Sequence, residues 1–283
     1  MRRNRASTTA QMVAMWRALA DRGFTSIPNF RDPYAAELLS AGYRFFLQRT
    51  TRRLQRMPAA ERPRVFSQFD PIAIRVAVLD AELLKAIRAG CRQVVILGAG
   101  FDTRAWRLDE LAGTTVFEVD HPATQHAKRE RVANLPPPKA KLVWTPVDFE
   151  RDALIERLSA AGHNPSEPTV WIWEGVVMYL ADAAVTSTLN AIRERSAPGS
   201  TLLLHYHEPS DTRARRIRKL VFSLLGEPQI GLRTSAAMRA LVERAGFNVR
   251  ADLGREEQAA MVGATPPEND LARISRILVV EPE

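Results

Sequence analysis

The run Val94-Val95-Ile96-Leu97-Gly98-Ala99-Gly100-Phe101-Asp102-Thr103-Arg104 decides the architecture of this 283-residue chain. Its first four residues are apolar without polar alternation, as expected of a strand buried on both faces. Gly98 and Gly100 then turn the backbone tightly, and a helical stretch follows. A buried strand of this kind needs parallel neighbours, and the sequence supplies them. Apolar runs recur at 114–119, 141–145, 170–173 and 201–205, separated by helical stretches at 103–111, 122–134, 152–161 and 182–195. Strand and helix in strict alternation predict a Rossmann-like α/β fold with a doubly wound, mostly parallel sheet. The C-terminal part differs. A helix over 234–245 closes at Gly246, and runs 247–252 and 275–280 suit an antiparallel pair at the sheet edge. Residues 209–233 are too long for a simple connection and read as a helical insertion, with Arg213, Arg215, Arg216, Arg218 and Lys219 on it.

Residues 1–90 read as a helical N-terminal cap, and 91–283 as the core. Met12, Met15, Trp16 and Leu19 repeat at helical spacing. Asp32-Pro33-Tyr34 reads as a helix start, continuing over 35–54. After a Pro- and Arg-rich joint at 57–63, Asp70-Pro71 opens a long helix that stops at Gly90.

The formal net charge is +8, carried mostly by arginine. Aromatic residues are not interleaved with a single dense basic patch, so nucleic acid is not expected, whereas an anionic small-molecule substrate suits the charge. The single cysteine, Cys91, precludes an internal disulfide or a thiolate metal framework. No apolar run reaches the length of about 18 residues that a membrane span requires. The basic start Met1-Arg2-Arg3-Asn4-Arg5 has no apolar signal core behind it. A cytoplasmic monomer or homodimer without membrane association is the expectation.

Ligands of open α/β sheets bind beyond the carboxyl ends of the strands, which is where the polar signals of this sequence fall. Gly98 permits the turn, and Gly100 lets a cofactor lie against the main chain. A dinucleotide turn requires a third glycine where this chain has Thr103, and Asp102 sets a negative charge where a pyrophosphate would lie. A sulfonium cofactor carries no such phosphate. After the second strand, Val119-Asp120-His121-Pro122 places an acid about 20 residues beyond the first glycine, suited to ribose hydroxyls. Asp120 could equally cap the helix that begins near Pro122. After the third strand, Asp148 could accept from an adenine amino group with Phe149 against the ring, or cap the next helix. After the fourth, Trp173-Glu174-Gly175 puts an acid and a glycine over the crevice.

The chain resembles the leucine carboxyl methyltransferase family, which includes protein phosphatase methyltransferases and bacterial polyketide O-methyltransferases. The resemblance rests on VVILGAGFDTRAWRL (94–108), FEVDHP (117–122) and WIWEGVVMYL (171–180), with RDPYAAELL (31–39) and DPIAIRVAVLD (70–80) in support. It implies a class I fold and S-adenosylmethionine as cofactor, with S-adenosylhomocysteine as product. It also implies residue roles: Arg75 on the methionine carboxylate, Gly98 and Gly100 at the cofactor turn, and Asp120 on the ribose. Asp148 and Phe149 would lie on the adenine side, Glu174 near the methionine amino group and Tyr179 at the active-site mouth.

His205-Tyr206-His207-Glu208 stands outside those motifs. His205 and His207 share one face of an extended strand, with Glu208 on the other, so a metal site is not expected. A general base or pocket lining remains. A carboxylate acceptor is ionised at neutral pH and needs no base, whereas a hydroxyl would call on His205 or His207. The reading is an O-methyltransferase acting on a carboxyl or hydroxyl of a small molecule, as in natural-product biosynthesis. The alternatives are a protein carboxyl methyltransferase, a nicotinamide-binding oxidoreductase, disfavoured by Thr103, and a cofactor binder that does not methylate.

Overall fold

A computed structural model of the chain describes residues 8–148, 152–210, 212 and 229–283. Most of the expected insertion at 209–233, and Phe149, lie outside the described residues. The sheet runs β3-β2-β1-β4-β5-β7-β6. Its strands are β1 (Gln93–Leu97), β2 (Thr115–Asp120), β3 (Lys141–Pro146), β4 (Thr169–Trp173), β5 (Thr201–His207), β6 (Phe247–Leu253) and β7 (Ser275–Pro282). The first five are parallel, and β7 pairs antiparallel with both β5 and β6. The strand order reverses between β1 and β4, which is the switch point where such sheets bind ligands. Leu97 is in register with Val119 on one side and Trp173 on the other, so the turns after β1, β2 and β4 leave the sheet at the same level.

Helices cover both faces because the strands are apolar on both. The faces take α3 (Arg62–Arg88), α4 (Arg104–Arg107), α5 (Pro122–Val132), α6 (Leu154–Ala160), α7 (Asp182–Glu194), α8 (Ser235–Arg244), α9 (Arg255–Met261) and α10 (Asp270–Ile274). Val94, Ile96, Val170 and Ile172 pack with Ile74, Val78, Leu79 and Leu83 of α3. Val95, Leu97, Trp171 and Trp173 pack with Leu158 of α6 and Val185, Leu189 and Ile192 of α7. Thus α3 belongs to the core layer as much as to the cap. The rest of the cap, α1 (Thr8–Asp21) and α2 (Ala41–Gln55), has its own cluster of Ala14, Leu19, Leu38, Leu47 and Leu54, which Phe101 joins from the turn after β1.

Two helix boundaries differ from the sequence reading. Asp32-Pro33 starts no helix: residues 33–39 are turns and α2 begins at Ala41. Asp32 is instead buried, accepting from Arg17 Nη1 at 2.8 Å and from Thr103 Oγ1 at 2.8 Å. A tertiary partner has displaced the local cap. Likewise Asp70-Pro71 lies within α3 instead of opening it. Proline removes the N–H that would bond the carbonyl of Ser67. Here Asn269 Nδ2 donates to that carbonyl and replaces the lost bond. Asp70 accepts from Thr25 Oγ1 at 2.6 Å and from the Ser26 N–H, which fixes the chain between α1 and α2 against α3.

Candidate functional site

Three glycines shape the carboxyl edge of the sheet. Gly98, Gly100 and Gly175 have φ of 68°, 50° and 72°, a left-handed region that strains other residues. Gly98 donates its N–H to Val119 O at 2.8 Å, and a Cβ there would come within 2.3 Å of Val176 Cγ2. At Gly100 a Cβ would lie 3.5 Å from Ala10 Cβ, so α1 sits directly over the turn. Gly98→Ala is expected to destabilise the protein by about 1–3 kcal/mol through φ strain and overpacking. Adding Val176→Ala should return the overpacking part and leave the strain, which urea denaturation of both variants measures.

Asp120 turns toward this loop. Its Oδ2 accepts from the Gly100 N–H and its Oδ1 from the His121 N–H at 2.6 Å. Burial raises its carboxyl above the ordinary aspartate range despite both bonds. The helix cap it might have formed is made by His121, whose Nδ1 accepts from Ala123 N at 3.2 Å. Asp120 therefore ties the end of β2 to the glycine turn.

Behind the turn lies a cluster of buried charge. Glu174 accepts from Arg75 Nε at 2.7 Å and from Arg104 Nη2 at 2.9 Å. Arg104, 1% exposed, also bonds Asp80 at 2.7 Å and pairs with Asp102. Arg107 reaches the second oxygen of Asp80 at 2.6 Å and lies 3.8 Å from Asp32, which Arg17 holds. The arginines 17, 75, 104 and 107 are thus matched one for one by Asp32, Asp80, Asp102 and Glu174, which is what makes burial of so much charge tolerable. Burial would raise the carboxyls, but Arg104 and its neighbours hold Asp102 down at about 2, and Arg75 and Arg104 hold Glu174 below its usual range. With Nε on Glu174, the two terminal nitrogens of Arg75 bond no described protein group, leaving a guanidinium edge to take a carboxylate.

Thr103 occupies the place of a dinucleotide turn's third glycine because its hydroxyl is a hub. It donates to Asp32 and accepts from Arg17 at 3.1 Å and Arg107 at 3.2 Å. Arg17 also donates to the carbonyl of Phe101 at 2.5 Å, so the cap is bonded to the glycine loop itself.

His205 is fully buried in β5. Its Nδ1 accepts from the Gly175 N–H at 3.2 Å, so its proton sits on Nε2, which faces Ser275 Oγ at 3.0 Å. Burial, then the nearby Arg75 and His207, hold its pKa well below the ordinary histidine value. His207, also buried, stands edge-on to it with ring centroids 4.9 Å apart. Glu208 turns away and accepts from the Ser235 N–H at 2.9 Å. Tyr179 is half-buried in the short 3-10 turn Val177–Tyr179 after β4. Asp148 is half-buried after β3. Its N–H donates to Asp152 at 2.8 Å, and the following helix starts at Leu154 without a side-chain cap, so Asp148 does not cap it. The structure thus gathers Arg75, Gly98, Gly100, Asp120, Glu174 and His205 around the β1–β4 switch point. Arg17, Asp80, Arg104 and Arg107 carried no role in the sequence, and Asp32 carried only that of a helix start. Four of them lie inside stretches quoted for the family resemblance (31–39, 70–80 and 94–108), a signal that could have singled them out.

Residues 10–193 match the family described as Leucine carboxyl methyltransferase. A relative from Mycolicibacterium paratuberculosis, named "Putative S-adenosyl-L-methionine-dependent methyltransferase", is 40% identical over 202 residues, 70% of this chain and 66% of that protein. A second with the same name, from Mycobacterium avium, is 36% identical over 218 residues, 75% of this chain and 70% of that protein. The chain thus spans about two thirds of the length of these curated relatives. In fold it is similar to a DUF574 family protein from Streptomyces avermitilis, with a TM-score of 0.60 at 13% identity and 98% of each chain covered. A helix-flanked sheet with its glycine turn at the β1–β4 switch point, matched over residues 10–193, makes this chain a member of the leucine carboxyl methyltransferase family of S-adenosylmethionine-dependent methyltransferases.

Proposed function

We propose that this protein transfers the methyl group to a carboxyl oxygen of a small anionic molecule, a step suited to natural-product biosynthesis. The observation that carries the choice of acceptor is His205. Of the two histidines a hydroxyl acceptor would call on, His205 has both nitrogens engaged, a buried ring and a depressed pKa, so it is not poised to take a proton, and His207 is buried edge-on against it. A carboxylate acceptor needs no such proton transfer. The net charge of +8 favours an anion approaching the site.

When bound, S-adenosylmethionine supplies an electrophilic methyl carbon on a sulfonium sulfur. The residues present fit it. Gly98 and Gly100 hold the tight left-handed turn at the switch point, although Val176 and Ala10 fill the sides a Cβ would take, so their missing side chains serve the turn and not an opening for the cofactor. Asp120 offers carboxylate oxygens to ribose hydroxyls, and the free edge of Arg75 suits the methionine carboxylate. Glu174 lies beside that edge, suited to the ammonium group, and Asp148 and Phe149 are assigned to the adenine side. Tyr179 is assigned to the substrate mouth and His207, at the carboxyl end of β5 and edge-on to His205, to the pocket wall. Transfer is an in-line displacement, so what the chain contributes is alignment of the acceptor and exclusion of water. His205 serves that by holding Gly175, next to Glu174, in its turn.

The test is transfer from methyl-labelled cofactor to small carboxylic acids, phenols and peptides ending in a free carboxyl group. The proposal expects label on a small acid, released as methanol by mild alkali as an ester requires. Alkali-stable label on phenols, or label confined to peptide ends, would overturn it.

A further inference from the structure

The outer face of α2 is not used by the fold. Its inner stripe, Leu47, Thr51 and Leu54, packs into the cap. The opposite stripe, Phe45, Arg49, Arg52 and Arg56, falls at helical spacing i, i+4, i+7 and i+11, flanked by Phe46 and Arg53. Phe45 is 68% exposed and Phe46 53% exposed. Between Ala41 and Arg56 the sequence holds five arginines and no acid, with Phe45 and Phe46 among them, so the expectation that aromatics are not interleaved with a dense basic patch does not hold on this helix. Arg44 is the one of the five that pairs, with Glu37 at 4.0 Å, while Arg49, Arg52, Arg53 and Arg56 pair with no carboxylate among the described residues.

This pattern is costly without a partner. Two large apolar rings stand in water, and four like charges repel one another with nothing to neutralise them. The missing charge is negative. Guanidinium forks match phosphate in two-point hydrogen bonds, and phenylalanines beside them suit the boundary between headgroups and acyl chains. A helix held by its inner stripe presents a convex face, which a fluid, laterally adaptable layer meets without a complementary groove. We propose that the outer face of α2 docks this protein onto an anionic phospholipid surface, with Phe45 and Phe46 in the headgroup layer and Arg49, Arg52, Arg53 and Arg56 on lipid phosphates. This departs from the expectation of no membrane association, and the binding is peripheral: no helix of the described residues is long and apolar enough to cross a membrane. It stands independently of the acceptor proposed above, because these residues face away from the cap core.

Co-sedimentation of the full chain with vesicles tests it, comparing pure phosphatidylcholine with a mixture one-third phosphatidylglycerol. The expected result is binding to the mixture, lost at high salt because surface attraction is screened. The variant R49Q/R52Q/R53Q/R56Q should bind at least about tenfold more weakly, since each basic residue near such a surface contributes several-fold. F45S/F46S should bind more weakly even at low salt. Circular dichroism and methyl transfer in solution should stay at wild-type values in both, because the side chains are exposed. Equal binding to both vesicle types, no binding, or wild-type binding by both variants would overturn the proposal. So would a wild-type dimer in light scattering that F45S/F46S abolishes without vesicle binding. Preferential capture by an RNA oligonucleotide or polyglutamate, with vesicles ignored, would overturn it in favour of another anionic partner.

Discussion

Replacing Arg104 by Leu is expected to destabilise the protein by at least about 3–5 kcal/mol, the cost of stranding buried charge. The guanidinium is 1% exposed and bonds Asp80, Asp102 and Glu174 at once. Its removal leaves three arginines to four acids: Arg17 still holds Asp32, Arg75 Glu174 and Arg107 Asp80, but Asp102 loses the ion pair it makes among the described residues. The carboxyls would respond by taking up protons, so the loss should be smaller in acid than at neutral pH. Arg104→Lys keeps the charge without the fork and should fall between wild type and Leu. Urea denaturation midpoints rank the three proteins. A Leu variant with the wild-type midpoint would show that the cluster is held together by something other than this residue.

Stability is expected to fall as pH rises from about 4.5 to about 7, by about 3 kcal/mol from Glu118 alone. Glu118 lies in β2 and is 1% exposed, with one carboxylate oxygen on Lys128 Nζ at 2.6 Å and the other unbonded among the described residues. Burial raises its pKa to about 7, with Lys128 pulling it back only in part. Between the ordinary glutamate value of 4.5 and that value, the folded chain keeps a proton that the unfolded chain has released. The stability this confers is therefore fully present below pH 4.5 and lost as pH passes through 7. The difference between wild type and Glu118→Gln in urea isolates the group, since other carboxyls titrate alike in both. A difference that stays constant across that range would contradict the assignment.

The sheet was legible in the sequence because buried parallel strands have no polar side, so 93–97, 114–119, 141–145, 170–173 and 201–205 announce themselves as continuous apolar runs. The turn was legible because Gly98 and Gly100 are required by backbone conformation, a local property. What could not be read is what depends on partners far along the chain. Asp32 has the local chemistry of a helix cap, but Thr103 lies 71 residues away and binds it in the interior. Pro71 has the local chemistry of a helix start, and its place inside α3 depends on Asn269, 202 residues from the carbonyl it satisfies. Asp80, Arg104 and Arg107 look like ordinary surface charge until the fold stacks the cap on the turn after β1. His205 was visible as a titratable group on a strand, but the Gly175 N–H that occupies its Nδ1 was not.

Calorimetric titration with S-adenosylhomocysteine, comparing wild type with Asp120→Ala, tests most directly that the cofactor lies across the carboxyl ends of β1, β2 and β4. Asp120 bonds the Gly100 N–H and stands where ribose hydroxyls would reach it, so its loss removes charge-assisted hydrogen bonds worth about 1.5–3 kcal/mol each. Binding to wild type is expected, with an affinity at least about tenfold lower in the variant and unchanged far-ultraviolet circular dichroism. Equal affinity in the two proteins, or no heat with wild type while NAD gives a signal, would contradict it.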